Sequence, residues 1–82
     1  MHEGNAIRNV MNYLERHWID YTGIGFPQPE GEDWKVAVSI VTADYPVMKT
    51  LGTYVTVSKA NGVVGLSPEM QDFMGKMKRA LV

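Results

Sequence analysis

The chain has 82 residues, a formal net charge of −1 and no cysteine. That length suits one small domain. The missing cysteines exclude disulfide staples and thiolate metal or redox centres, and the absence of a basic excess argues against a nucleic-acid partner, whose phosphates would need neutralising. Hydrophobic residues at 45% and charged residues at 21% are the usage of a folded domain rather than a disordered one. No apolar run approaches the ~20 residues that span a bilayer. The start Met1-His2-Glu3-Gly4 lacks the positive segment and apolar core of a secretory signal, so a cytoplasmic location is expected.

Asn5 to Tyr21 is predicted to be a helix, because Ile7, Val10, Met11, Leu14, Trp18 and Tyr21 recur at steps of three and four. Asn5 is the expected N-cap, Gly23 the expected left-handed residue that ends the helix, and Arg16 with Asp20 an i,i+4 ion pair. Gly25 to Asp33 reads as an acidic loop, with Pro27 and Pro29 removing donors and Phe26 tacking it to the core. Its carboxylates lack the alternating spacing of a calcium loop.

Trp34 to Thr42 alternates Trp34, Val36, Val38 and Ile40 with Lys35, Ala37, Ser39 and Val41, the period-two pattern of a strand with one buried face. Ala43 to Thr50 turns the chain around Tyr45-Pro46. Leu51 to Ala60 is the second strand, with Leu51, Thr53, Val55 and Val57 on the apolar side. Asn61-Gly62 suits a two-residue type I′ hairpin. That turn predicts Ala60 opposite Val63, Lys59 opposite Val64, Ser58 opposite Gly65 and Val57 opposite Leu66, which puts Val64 and Leu66 on the apolar side.

Ser67-Pro68-Glu69 opens a second helix, with a capping side chain, a proline where no donor is missed and an acid near the positive end of the dipole. Met70, Phe73, Met74, Met77 and Leu81 form its apolar stripe. Lys76, Lys78 and Arg79 gather near its C-terminus, where cations suit the dipole. The expected fold is α+β: α-β-β-β-α, with a three-stranded antiparallel sheet covered on one face by two helices.

No catalytic constellation is legible. The nucleophile elbow, the phosphate loop and the H-E-x-x-H motif are absent. Gly23-Ile24-Gly25 follows a helix, whereas a dinucleotide fingerprint follows a strand. No catalytic residue, metal ligand or cofactor is therefore assigned. The rings are more informative. Trp34 belongs to the core face and Tyr54 to the opposite one, where Val41, Tyr54, Thr56 and Val63 with Ala37 make a semi-apolar surface. Such a face either meets water or meets a protein partner or a second copy, since tyrosine is enriched at interfaces. A homodimer is one such outcome. The alternative class is a small ligand-binding or enzyme domain with a pocket between the first helix and the sheet, near His17, Trp18 and Tyr21.

Asp33-Trp34-Lys35-Val36-Ala37-Val38, then Pro46, then Leu51-Gly52-Thr53-Tyr54, then Asn61-Gly62-Val63-Val64 resemble the central pattern of the gas vesicle protein O family. In that pattern a Trp-led strand precedes a Pro-containing connection, a Leu-x-x-Tyr strand and a Gly turn. The family's arginine-rich ending with a tyrosine is not here; a helix opens at Ser67 instead. The helix-then-strands layout is also similar to peptidase-propeptide-type and cystatin-like modules. The gas vesicle resemblance implies an accessory, non-enzymatic protein of particle assembly and transfers no catalytic residue.

Overall fold

The computed structural model of the chain describes residues 3–42 and 49–80. Among these described residues two helices and five strands follow one another: α1 (Glu3–Arg16), β1 (Tyr21–Ile24), β2 (Gln28–Glu30), β3 (Asp33–Val41), β4 (Thr50–Ser58), β5 (Val64–Leu66) and α2 (Pro68–Ala80). The fold is α+β with an antiparallel sheet, as expected, but that sheet has five strands rather than three. β3 and β4 pair along their whole length, from Asp33 opposite Ser58 to Val41 opposite Thr50. β5 lies on the far side of β4. β1 and β2 share the far side of β3, β1 beside Val38–Ile40 and β2 beside Asp33–Lys35. The predicted turn at Tyr45-Pro46 lies outside the described residues.

Of the two extra strands, β1 follows a helix that stops early and β2 forms within the predicted loop. α1 ends at Arg16 instead of running to Tyr21. Trp18 takes the left-handed conformation, φ 60°, that the sequence suggested for Gly23. The amide of Trp18 donates to the Glu15 carbonyl and that of Ile19 to the Leu14 carbonyl, which together make a Schellman end. A bulky residue pays about 1–2 kcal/mol for that backbone conformation. Burial of Ile19 beside Leu14 in the core offsets it. Trp18 itself is 87% exposed, so it is no part of the apolar stripe. The buried stripe is Ala6, Val10 and Leu14, with Met11 turned outward. Asn5 sits inside the helix rather than capping it, and Asp20 falls beyond the end, so the spacing for an Arg16 pair is lost.

The chain then reverses into β1. A bulge at Thr22 shifts the register, so that Tyr21 faces Ile40 and Ile24 faces Val38, and both side chains reach the core. The predicted loop at Gly25–Asp33 contains β2, turned back onto β3 by Gly31-Glu32 with Gly31 at φ 60°. Glycine at the first position of a two-residue hairpin turn accommodates that angle. Pro29 is tolerated because β2 is an edge strand. Phe26 is 68% exposed and does not tack this segment down; Pro27 is buried instead.

The β4–β5 hairpin keeps its predicted faces but not its register. Val57 pairs with Val64 and Val55 with Leu66, two residues away from the two-residue-turn alignment. The connection is longer because side chains compete for its amides: Ser58 Oγ accepts from the amides of Ala60 and Asn61, and Asn61 Oδ1 accepts from the amide of Val63. Gly62 alone carries positive φ there, 74°. A shift of two leaves every side chain on its original side of the sheet.

The core lies on one face of the sheet. Val36, Val38 and Ile40 of β3 and Val55 and Val57 of β4 meet Ala6, Val10, Leu14 and Ile19, with Met70 of α2. Trp34, Leu51, Val64, Leu66, Phe73 and Met74 pack around them. The side chains of Met77, Leu81, Lys78 and Arg79 lie outside the described residues. α2 begins as predicted: Ser67 Oγ accepts from the amide of Met70, and this buried hydroxyl also bonds Thr53 Oγ1 at 2.7 Å.

Candidate functional site

The side of the sheet away from the helices is built by the odd positions of β3 and the even positions of β4. Pairing sets them in rows. Gly23, Ser39 and Gly52 stand side by side across three strands, Ala37 lies beside Tyr54, and Gln28, Lys35, Thr56 and Gly65 form the next row. Gly23, Ala37 and Gly52 are exposed, so no described element covers the middle of this face.

The face is a shallow trough with one raised wall. A depression of about 680 Å³ is lined by Gly23, Gly25, Lys35, Ala37, Gly52 and Tyr54, among others. Its floor is low because two glycines carry no side chain where one would fit, a Cβ at Gly23 or Gly52 meeting nothing within 4 Å, and the small Ser39 side chain between them is held by the Thr22 hydroxyl at 3.1 Å. Gly25 and Gly65 are different. A Cβ at Gly25 comes to 3.1 Å of the Ala37 Cβ, and one at Gly65 to 2.6 Å of Thr56 Oγ1, so those two serve internal packing. The wall is Tyr54, with the Lys35 ammonium 4.4 Å from the ring centroid. Lys35 also reaches Glu30 at 4.0 Å, an exposed pair that contributes little to stability. A cation over a tyrosine face holds the ring in place and leaves its edge to solvent or a partner.

Val41, Tyr54 and Thr56 all fall on this outer face. Val41 is at one end, opposite Thr50; Tyr54 is central; Thr56 is folded over Gly65. Val63 is exposed in the β4–β5 connection, at the rim. Gly23, Ser39, Gly52 and Lys35 are members that sequence reasoning did not single out. Lys35 and Ser39 were on this face by the alternation of the first strand, whereas Gly52 reads only as a weak point in a strand and Gly23 as a helix end before the pairing is known.

The three residues of the alternative pocket occupy different settings. The His17 ring lies 4.3 Å from that of Tyr13 at the end of α1. Trp18 is exposed in the chain reversal, and Tyr21 packs on the core from β1. Among the described residues no group of three or more His, Asp or Glu is placed to hold a metal ion, and no helix is long and apolar enough to cross a membrane. Compared with protein-family models, curated proteins and solved structures, the chain matches none of them.

Proposed function

We propose that this chain is a small non-enzymatic accessory module that works by binding protein, and that it associates with a second copy of itself through the outer face of its sheet. The observation that carries this reading is the small-residue row Gly23–Ser39–Gly52 beside the larger Tyr54 and Lys35. A two-fold axis over such a face brings the ridge of each copy to the trough of the other, the self-complementarity an isologous interface requires. Two strands of nine residues, β3 and β4, flanked by the shorter β1, β2 and β5, at ~3.3 Å per residue and ~4.8 Å between strands, present roughly 450 Å². That is a little over half the ~800 Å² per partner of a standard interface, so the dimer is expected to be a weak, concentration-dependent one. Tyr54 is the anchor, since tyrosine provides large contact area at small entropic cost. The gas vesicle protein O resemblance, which implies a part in assembly, is in keeping with it.

Two substitutions test the face without disturbing the core. Gly23→Lys places a charged stem in the trough, where a Cβ meets nothing, and Tyr54→Ala removes the ridge. Both are expected to weaken the dimer about tenfold or more in sedimentation velocity, as loss of an interface anchor does, while the thermal unfolding of the isolated monomer stays within a few degrees. Val63→Asp, at the rim, is expected to weaken it less. A wild-type chain that stays monomeric at every concentration, or dimerisation unchanged by both central variants, overturns this reading.

A further inference from the structure

We propose that Asn61 is a site of self-modification, at which the asparagine side chain condenses with the amide that follows it, and that Asn9 of α1 sets the rate by holding Gly62. The site lies in the β4–β5 connection and stands or falls separately from the outer-face association.

The turn itself creates the site. Gly62 takes φ 74°, a conformation that residues with a Cβ rarely adopt, so the fold calls for glycine after Asn61. Glycine is also the residue that least hinders attack by its own nitrogen, because no side chain shields it. Asn61 is exposed and lies outside the strands, at the tip of the hairpin. Its Oδ1 accepts from the Val63 amide at 3.1 Å. That bond draws electrons from Cγ and sits where negative charge develops when Cγ is attacked, as an oxyanion donor does.

The only co-reactant is water. Hydroxide from the solvent takes the proton of the Gly62 amide, and the nitrogen attacks Cγ of Asn61 to close a five-membered ring. The bond from Cγ to Nδ2 breaks, and that nitrogen leaves as ammonia after taking a proton from water. Water then adds to either ring carbonyl and opens the ring. One opening yields aspartate. The other yields isoaspartate, in which the main chain runs through the former side chain and is longer by one carbon. Water enters, ammonia leaves, and no atom changes oxidation state.

Two hydrogen bonds oppose the reaction. The Gly62 amide donates to the Ser58 carbonyl at 2.9 Å, which keeps its proton from solvent base. The Gly62 carbonyl accepts from Asn9 Nδ2 at 3.1 Å, a part-buried bond that ties the turn to α1. The ring closes when the turn opens, so local opening sets the rate. Asn5, Asn9 and Asn12 lie within α1 and precede Ala6, Val10 and Tyr13, whose side chains crowd the approach. They are internal controls. Isoaspartate at position 61 carries Gly62 away from Ser58 and Asn9, and leaves a new carboxylate two residues from Val63 at the rim of the sheet.

Mass spectrometry of the full chain and of its peptides, through an incubation at neutral pH, follows the reaction residue by residue. Asn61 is expected to gain the mass difference between an amide and an acid, mostly as isoaspartate, while Asn5, Asn9 and Asn12 stay unchanged. The chain unfolded in urea supplies the intrinsic rate. Asn9→Ala suits the helix and is expected to fold, and to convert about fivefold faster than the wild type, the factor that one ordinary hydrogen bond contributes. Asn61 intact in both folded proteins, over a period in which the unfolded chain converts fully, overturns the site. Equal rates in Asn9→Ala and the wild type overturn the hold assigned to Asn9. Ser67→Ala loosens the fold at the start of α2 instead. A larger acceleration there than in Asn9→Ala would place the reaction in the unfolded chain and overturn local opening.

Discussion

Ser67→Ala removes one buried oxygen that does two jobs. Ser67 is 1% exposed. Its hydroxyl caps α2 by accepting from the Met70 amide at 3.2 Å, and it shares a 2.7 Å hydrogen bond with Thr53 Oγ1 of β4. Loss of an N-cap costs about 1 kcal/mol. Leaving the half-buried Thr53 hydroxyl without its partner costs about another. The sum, about 2 kcal/mol, is a large part of the stability of a domain this size and corresponds to a melting point lower by roughly 10 °C. Thr53→Val keeps the shape of the side chain and removes its hydroxyl, so a double-mutant cycle isolates the shared bond. The expected coupling is about 1 kcal/mol, with the double variant little worse than Ser67→Ala alone. Chemical denaturation of the four proteins, followed by circular dichroism, provides the values. A loss under about 0.5 kcal/mol for Ser67→Ala, or strict additivity in the cycle, would refute the reasoning, because surface-like behaviour of this size belongs to a hydroxyl that is solvated rather than shared. The same bond ties the start of α2 to β4 where the chain leaves the sheet.

Trp18→Gly is expected to stabilise the fold by about 0.5–1 kcal/mol, because Trp18 is 87% exposed and holds φ 60°, an angle that costs a residue with a Cβ; a lower melting point would show that the exposed ring contributes packing after all. Truncation after Leu66 removes Met70, a fully buried core side chain, together with the cap that anchors it, and is expected to abolish cooperative thermal unfolding. A truncated chain that still melts cooperatively would make α2 an appendage.

How far the sequence reaches differs from element to element. The inner face of β3 and β4 was legible because Trp34, Val36, Val38, Ile40 and their partners alternate over a full strand, and period two has one reading on that scale. The opening of α2 was legible from Ser67-Pro68-Glu69, whose chemistry is local. The hairpin register was misjudged by two residues, since Ser58 and Asn61 side chains capture amides that a tight turn would leave to the backbone. The faces survived that error because two is the side-chain period of a strand. β1 was hidden by its bulge: Tyr21 and Ile24 both point inward although three residues apart, a spacing that looks helical. That same spacing extended the first helix by five residues on paper.

The candidate site divides along the same line. Tyr54 could be placed on the outer face by counting, and Val41 and Thr56 with it. The trough beside Tyr54 could not, because Gly23 and Gly52 come from strands twenty-nine residues apart and acquire a common meaning only when Ser39 stands between them.

By itself the amino-acid order determined which side of the central hairpin is apolar and where the last helix begins. Those properties depend on neighbours a few residues away. Among the described residues the tertiary structure decided where the first helix stops, how many strands the sheet has, and where the chain leaves the sheet after β5. Each of these is a competition between distant segments for the same core space and the same backbone hydrogen bonds. Burial of Ile19 outweighs the backbone cost at Trp18, and the bond between Ser67 and Thr53 ties the chain to β4 where it leaves the sheet.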